Sequence, residues 1–167
     1  LGIFLFFLTL KDFFLKNSHI SQKISHFGFS LLILSILFNG ILADEYSSNM
    51  KVGDERIFME KTIKFENLKV VQGKNYQSLI GEFKINDKKK ILNLNPEIRI
   101  YNQPETITSE ADISTTIFSD NFLVFNILKN DGYYNVRYQI KPFMIWVWIS
   151  VLLISTGGIL SFFIKND

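Results

Sequence analysis

Residues 26–43 read HFGFSLLILSILFNGILA, an uncharged run that opens on a histidine. About 17 apolar residues is the lower limit for a helix that crosses the hydrocarbon core of a bilayer, and this run meets it. An ionisable ring at the mouth of a membrane-spanning helix is costly and therefore points to a functional role. His26 is the first candidate site residue of the chain.

Two further apolar runs lie at residues 143–164 and 1–10. The first is long enough to span a bilayer, whereas the second is half a span. A signal peptide at 1–10 is rejected because it lacks a basic leader and a small-residue cleavage site. The predicted order is a truncated transmembrane helix at 1–10, a cytoplasmic loop at 11–25, a transmembrane helix at 26–43, an extracytoplasmic domain at 44–141, a transmembrane helix at 142–164 and a cytoplasmic tail at 165–167.

Charge predicts the orientation of these spans. Residues 44–141 carry fourteen basic and fourteen acidic side chains, so the excess of positive charge comes from the short connecting segment and the tail. Its carriers are Lys11, Lys16, Lys23 and Lys165. Short basic loops stay in the cytoplasm while long domains cross regardless of charge, which puts the central domain outside. A neutral external domain argues against nucleic acid as a partner, and a chain without cysteine has no disulfide.

Between the spans the hydrophobic pattern is that of β-strands. Short runs rich in β-branched and aromatic residues follow one another, and Asn86-Asp87-Lys88 and Asn130-Asp131-Gly132 are typical of hairpin turns. The runs are KTIKFENLKVV, SLIGEFKIN, ILNLNPEIRIY, NFLVFNIL and YYNVRYQI. We therefore expect a membrane protein whose transmembrane helices flank an all-β antiparallel sandwich or small barrel of five to seven strands, ending at Lys141-Pro142.

Small, weakly polar and aromatic side chains predict how the spans pack. A face of the first span and a patch of the last one suit close helix packing, and two tryptophans suit an aromatic belt at the outer interface. Asn39 is expected to find a partner or to face water. These residues are Gly28, Ser35 and Asn39 in the first span, and Gly157, Gly158 and Ser161, with Trp146 and Trp148, in the last.

The residues leave two interpretations of His26 open. One is an interfacial histidine that meets water at the head groups. The other is an axial ligand whose imidazole binds haem iron, with the second ligand supplied from outside this chain. His19, in the basic loop, is expected to be solvated. The sequence has no zinc-site spacing, nucleophile elbow or phosphate loop, so no self-contained enzyme is predicted.

Within the β domain, three groups of residues stand out. Glu97 and Arg99 fall on one face of a strand and are expected to pair. Gly73-Lys74-Asn75-Tyr76 predicts a tight turn. Glu110 and Asp112 are either a substrate-facing acidic pair or, more simply, part of a solvated loop.

Over roughly residues 20–164, the chain resembles the C-terminal region of the CcmF family, the haem-lyase subunit of bacterial and organellar cytochrome c maturation. The resemblance lies in the order and spacing of short motifs. These are Ser25-His26-Phe27-Gly28, Gly73-Lys74-Asn75-Tyr76, Asn95-Pro96-Glu97 with Arg99 and Tyr101, Ser109-Glu110-Ala111-Asp112-Ile113, and YQIKPFMIWVW at 138–148 with Gly157-Gly158 beyond.

The resemblance implies a multi-pass protein of the inner membrane, bacterial or organellar, with its β domain on the periplasmic side. Such proteins receive haem from a chaperone and help to join it to apocytochrome c. They also hold a haem b through two histidines from different helices, and His26 matches the C-terminal one. The implied partners are the upstream part of the subunit or a split half, the other haem lyase subunits, the haem chaperone, apocytochrome c and the bilayer.

Two features depart from the family pattern. The tryptophan-rich haem-handling segment is missing, and Ile145 stands where relatives often carry Arg. We therefore expect a fragment or one half of a split subunit, which is not catalytic alone. The alternative is a non-catalytic, membrane-anchored extracytoplasmic binding module without a cofactor.

Overall fold

The structure, a computed structural model, describes residues 2–15, 19–87, 90–128 and 132–163. The chain forms two compact units. A helical unit comprises Leu1–Ala43, Thr115–Asp120 and Lys141–Asp167, and a β unit comprises Asp44–Ser114 and Asn121–Ile140.

The helical unit contains α1 (Gly2–Phe14), α2 (Ile20–Leu42) and α3 (Met144–Phe163). By length and composition, α2 and α3 could each cross a membrane, and only 17% and 11% of their most apolar windows are buried within the chain. Helix also occupies 11–14 and 20–25, most of the segment predicted to be a loop. Lys23 explains part of this difference, because its ammonium group donates hydrogen bonds to the carbonyls of Phe13 and Leu15 at the end of α1.

Small residues bring α2 and α3 together in antiparallel directions. A Cβ atom on Gly28 would lie 2.9 Å from the Cβ of Leu153, and one on Gly157 would lie 2.7 Å from the carbonyl oxygen of Ser21. Both glycines are buried, as the packing prediction requires, whereas Gly158 faces open space. At the other end of the pair, the Asn39 side-chain amide donates a 2.7 Å hydrogen bond to the carbonyl of Pro142. The partner expected for Asn39 is therefore a backbone group.

Helix α1 lies against a different face of α2. The hydroxyls of Thr9 and Ser30 are 2.6 Å apart, and the rings of Phe6 and Phe27 have centroids 5.6 Å apart. One of the two hydroxyls donates to the other, and the accepting hydroxyl can give its own proton to a carbonyl in the preceding turn of its helix. The contact thus joins apolar packing to a hydroxyl pair, a combination typical of helices in membranes.

The described residues of the β domain form two antiparallel sheets. The strands are β1 (Asp44–Met50), β2 (Glu55–Phe58), β3 (Lys61–Gln72), β4 (Tyr76–Asp87), β5 (Lys90–Leu94), β6 (Glu97–Asn102), β7 (Glu105–Glu110), β8 (Asp112–Thr115), β9 (Ser119–Ile127) and β10 (Tyr134–Pro142). The smaller sheet has the order β1-β10-β9-β8. The larger has the order β2-β3-β4-β6-β7, with β5 paired to β4 beside β6.

The sandwich core is aromatic at its centre. The rings of Phe65 and Phe83 stack with centroids 4.2 Å apart, and Phe125 of the other sheet meets both edge-on. Every second residue of β4 from Gly81 to Ile85 is buried, which is the alternation expected of a strand with one face in the core. The predicted antiparallel sandwich is therefore confirmed.

The strand count was underestimated, since the described chain has ten strands rather than five to seven. The run ILNLNPEIRIY divides into β5 and β6 at Asn95-Pro96, because proline has no N–H to donate to a ladder. The last strand, β10, ends at Pro142, while the compact β unit ends at Ile140. Part of each predicted hairpin turn, Lys88 in one and Asn130 and Asp131 in the other, lies outside the described residues.

Candidate functional site

His26 lies in the second turn of α2, and its side chain is exposed. The helix begins six residues earlier than the apolar run, so the imidazole extends from regular helix rather than from a loop. No hydrogen bond or ion pair involves His26 anywhere in the described ranges. The ring is therefore available to a group from outside this chain.

The exposed residues around His26 form one stripe along α2. Gln22, His26, Phe29 and Ile36 are exposed at spacings of four, three and seven, which place them on a single helix face. Phe29 and Ile36 expose 58% and 55% of their surface. The faces that contact α1 and α3 carry other residues, such as Ser30 and Gly28. Neither neighbouring helix uses the stripe that carries His26.

Haem iron needs one or two axial ligands and an apolar wall for the porphyrin, and the stripe meets part of that need. It offers one imidazole with an aromatic and an aliphatic side chain on the same face. The described residues contain no group of three or more His, Cys, Asp or Glu that could hold a metal ion. The residues present could thus provide one ligand and one wall of a haem site.

His19 occupies a different position. It is the N-cap residue of α2, it is exposed, and its side chain makes no capping hydrogen bond. Its backbone carbonyl accepts the first helical hydrogen bond, from Lys23 N at 3.1 Å. His19 therefore has the exposure expected for a solvated residue and is a natural comparison for His26.

The start of α3 holds a contact that the sequence did not predict. The indole nitrogen of Trp146 donates a 2.9 Å hydrogen bond to the carbonyl of Ile117, and the backbone N–H of Phe143 donates a 2.8 Å bond to the carbonyl of Phe118. Trp146 is thus half-buried and bonded, whereas Trp148 is 66% exposed. The two tryptophans, predicted to act alike, have different environments.

In the β unit, the motif residues gather on the outer face of the larger sheet. The register pairs Tyr76 with Tyr101 and Ser78 with Arg99, so their side chains share that face with Glu97. Arg99 forms an ion pair with Glu97 and lies over the ring of Tyr76, 5.2 Å from its centroid. The expected pairing of Glu97 with Arg99 is confirmed.

Electrostatics make this cluster a stable ion pair. The hydrogen bond from Arg99, and then that from Ser78, lower the pKa of Glu97. The same bond to Glu97 is the main cause of the raised pKa of Arg99. Both groups stay charged at neutral pH, and the hydrogen bond from the Ser78 hydroxyl to Glu97 joins this ion pair on β6 to β4.

In the β unit, the structure agrees with the predicted turn but not with the loop predicted for the acidic residues. Gly73 N donates to Tyr76 O at 2.8 Å, which confirms the tight turn. A Cβ on Gly73 would lie 2.9 Å from the Tyr76 ring, so glycine lets the ring pack closely over the turn. Glu110 and Asp112 are not in a loop. They lie on β7 and β8, where Glu110 accepts a hydrogen bond from Thr108, and Asp112 accepts one from the backbone of Asn95 at 2.6 Å. Both have structural partners.

Comparison with known proteins agrees with this fold. The family model for the CcmF C-terminal beta-sandwich matches residues 41–142. The chain belongs to the CcmF family. The cytochrome c-type biogenesis protein CcmF of Escherichia coli K12 is 29% identical over 140 residues, which is 83% of this chain and 22% of that protein. Its counterpart from Pseudomonas aeruginosa is 27% identical over 148 residues, or 88% of this chain and 22% of its own length.

A solved structure shows the same fold. The cytochrome c heme lyase CcmF superposes with a TM-score of 0.68 at 14% identity, covering 95% of this chain and 28% of that one. The chain thus spans about a quarter of the solved CcmF, and it corresponds to the C-terminal region of CcmF. The two apolar helices that flank the sandwich are compatible with the membrane location of a CcmF protein.

Proposed function

We propose that this chain is the C-terminal portion of a haem lyase subunit, in which His26 is one axial ligand of a haem b held within the membrane. The observation that carries the proposal is the exposed, unpaired imidazole of His26 on an apolar helix stripe that neither α1 nor α3 covers. An unpaired ionisable group on a membrane-spanning helix is costly unless a ligand or partner meets it. The second ligand comes from a helix outside this chain.

A haem held by His26 and a second ligand from outside this chain would provide a one-electron redox centre, through which electrons from an external reductant could keep the iron of the substrate haem reduced. The contribution of this chain is to hold and orient. Helix α2 is fixed on one side by the hydroxyl pair with α1 and on another by the glycine contacts with α3, which sets the direction of the His26 side chain. Bond formation itself belongs to the upstream part of the subunit, which also receives haem from the chaperone.

The orientation follows from the antiparallel packing of α2 and α3. Lys11 and Lys23 lie towards one end of the helical unit, and Asn39, Phe143 and Trp146 lie towards the other. Because short basic segments remain in the cytoplasm, the lysine end faces inward and the β domain faces the periplasm or its organellar equivalent. There it supports haem attachment to apocytochrome c.

The test is His26→Ala in the complete, membrane-embedded lyase. We expect the variant to lose the b-type absorbance of the reduced protein, because a single remaining ligand cannot hold the haem in a six-coordinate state. Added imidazole should restore part of the spectrum by filling the space left by the side chain. The amount of chain in the membrane, measured by immunoblot, should not change.

His19→Ala is the matched control, since His19 is an exposed histidine on the same helix. It should keep the full b-type spectrum. A His26→Ala protein with an unchanged spectrum would refute the ligand assignment and favour the anchored binding module, which binds no cofactor. Loss of the spectrum in both variants would indicate a general effect on assembly and would equally remove the support for His26.

A further inference from the structure

We infer that the turn between β8 and β9, with Ile117 and Phe118 at its tip, is a lipid anchor that inserts into the outer interface of the bilayer. This inference depends on the proposed function in one respect, namely that α3 spans the membrane. It concerns a surface that haem ligation does not use.

The composition of the tip is unusual for a tight turn. Thr116 N donates to Ser119 O at 2.9 Å, and the Thr116 hydroxyl accepts from Ser119 N at 3.1 Å, so the two residues close the turn. The central positions of such turns are usually occupied by Gly, Asn, Asp, Pro or Ser. Here they carry Ile117 and Phe118, whose side chains are 61% and 66% exposed. Two adjacent bulky apolar side chains at the tip of a polar turn imply a surface that covers them.

Both carbonyls of the tip have hydrogen-bond donors. The carbonyl of Ile117 accepts from the Trp146 indole, and the carbonyl of Phe118 accepts from the backbone of Phe143. An unpaired carbonyl is costly in hydrocarbon. The pairing of both carbonyls therefore suits a tip that lies at the edge of the bilayer, where water and head groups can still meet its N–H groups.

These two hydrogen bonds also hold the tip beside the first turn of α3, and this position sets how deep the tip lies in the bilayer. Close to that level, on another face of α3, Trp148 is 66% exposed, and Leu152, one turn further along, is 65% exposed. The start of the spanning helix therefore also exposes apolar surface near the level of the tip. Tryptophan prefers the level of the head groups, which puts the tip at the edge of the hydrocarbon. Asp120, two residues after Phe118, limits the insertion to the interface, because a carboxylate in the bilayer core is costly.

The chain has no cysteine, so single thiols can be introduced without background. We propose three variants, each labelled with an environment-sensitive fluorophore in the complete protein, freed of other reactive thiols and reconstituted in vesicles of phosphatidylcholine and phosphatidylglycerol. Ile117→Cys probes the tip. Ile107→Cys on β7 is the matched control, because Ile107 is also 61% exposed. Leu152→Cys on α3 is the reference for lipid contact.

We expect the label at 117 to emit at shorter wavelength than the label at 107. Nitroxide-bearing lipid should quench it severalfold more strongly than the label at 107, and iodide in the water severalfold more weakly. Quenching of the 117 label by iodide to the level of the 107 label would overturn the inference. Protection of the 117 label from both quenchers would also overturn it, because a protein surface would then cover the tip.

The 152 label separates this inference from the membrane placement of α3. If the 152 label responds to nitroxide lipid while the 117 label does not, α3 spans and the tip is not an anchor. If neither label responds, the spanning helix and the anchor are both wrong. Neither result affects the ligand assignment of His26, which depends on the haem spectrum.

Discussion

The helical unit exposes most of its large apolar side chains, whereas the β unit gathers a set of them in a buried core. In the β unit a core of large apolar residues, including Phe65, Phe83 and Phe125, is almost completely buried, and ion pairs lie on the outside. Among the described residues of the helical unit, Leu31 is the only large apolar side chain classed as buried, whereas Phe29, Leu152 and Phe162 are more than half exposed. The exposed apolar surface of the helical unit is compatible with the lipid environment that we propose for α2 and α3, whereas the β unit has the core of a domain in water.

The buried contacts of the two units differ accordingly. The sandwich buries aromatic rings, and removal of apolar surface from water provides its stability. The helical unit buries glycines and hydroxyls, namely Gly28, Gly157, Ser21, Ser30 and Ser35. Lipid is as apolar as leucine, so helices gain little from hiding leucine and associate instead by close backbone approach and polar contacts. We therefore expect loss of an aromatic ring to destabilise the β unit, and enlargement of a buried glycine to destabilise the helical unit.

The largest effect is expected in the sandwich core. Phe65→Ala would remove one ring of the stacked pair with Phe83 and the edge contact with Phe125, leaving a cavity. Such substitutions cost about 3–5 kcal/mol of unfolding free energy. Urea unfolding, monitored through hydrogen exchange of the β3 and β4 amides, would measure this loss of unfolding free energy.

Ile57→Ala is the control for that substitution. Ile57 lies on β2 and is 75% exposed, so its truncation should change the unfolding free energy by less than about 0.5 kcal/mol. Equal losses for the two variants would mean that the core does not carry the stability of the β unit.

The strands that sequence reasoning missed are the four edges of the two sheets. The interior strands β3, β4, β9 and β10 have long alternating or apolar runs and were predicted close to their bounds. The edge strands β1, β2, β7 and β8 read DEYSSNM, ERIF, ETITSE and DIST. An edge strand has one side in water and needs few apolar residues, so periodicity gives little signal there.

The candidate site was predictable only in part. His26 could be chosen from its place at the start of an apolar run, and Glu97 with Arg99 from their spacing along a strand. The helix face that carries His26 depends on which sides α1 and α3 occupy, and local sequence does not contain that information. The Trp146 contact with Ile117 joins residues 29 positions apart, and its only sequence signal is the apolar pair Ile117-Phe118 between polar neighbours.

The two adjacent glycines of α3 test the packing rule of the helical unit. Gly157→Ala would place a methyl group 2.7 Å from Ser21 O and 2.8 Å from Ser25 N, and these backbone atoms of α2 cannot move independently. Overpacking of this kind costs about 1–3 kcal/mol. The measurement is thermal unfolding in detergent micelles, followed by emission of the two tryptophans, which both lie in α3.

Gly158→Ala is a control with the same chemistry one residue away. A Cβ at Gly158 meets nothing within 4 Å, and alanine favours helix over glycine by about 0.5–1 kcal/mol. We therefore expect its melting temperature to stay the same or to rise. A fall of similar size in both variants would show that the helices do not approach each other at Gly157.

The smallest expected effect is a loss of stability at high pH. It depends on which kind of polar group each unit buries. In the helical unit these groups are hydroxyls and amides, such as Thr9, Ser30 and Asn39. The β unit buries the phenol of Tyr138, which donates a 2.6 Å hydrogen bond to the Asn121 side-chain oxygen. Burial, and secondarily the charge of Asp87, raise the pKa of Tyr138. Only the sandwich should therefore lose stability through a buried phenol in alkali.

The sign follows from proton binding. In the unfolded chain a tyrosine loses its proton at about pH 10, whereas Tyr138 keeps its proton at that pH in the folded state. Above that pH the unfolded state binds fewer protons, so the unfolding free energy falls as pH rises. Tyr138→Phe should cost about 1 kcal/mol at neutral pH, because the Asn121 side-chain oxygen then keeps only the longer, 3.4 Å bond from Lys61. It should also make the decline above about pH 10 shallower than in the parent chain. Tyr133→Phe, at a 37% exposed position, should keep the parent slope in urea unfolding. An unchanged slope in Tyr138→Phe would show that Tyr138 does not cause the alkaline loss, and it would remove this distinction between the two units.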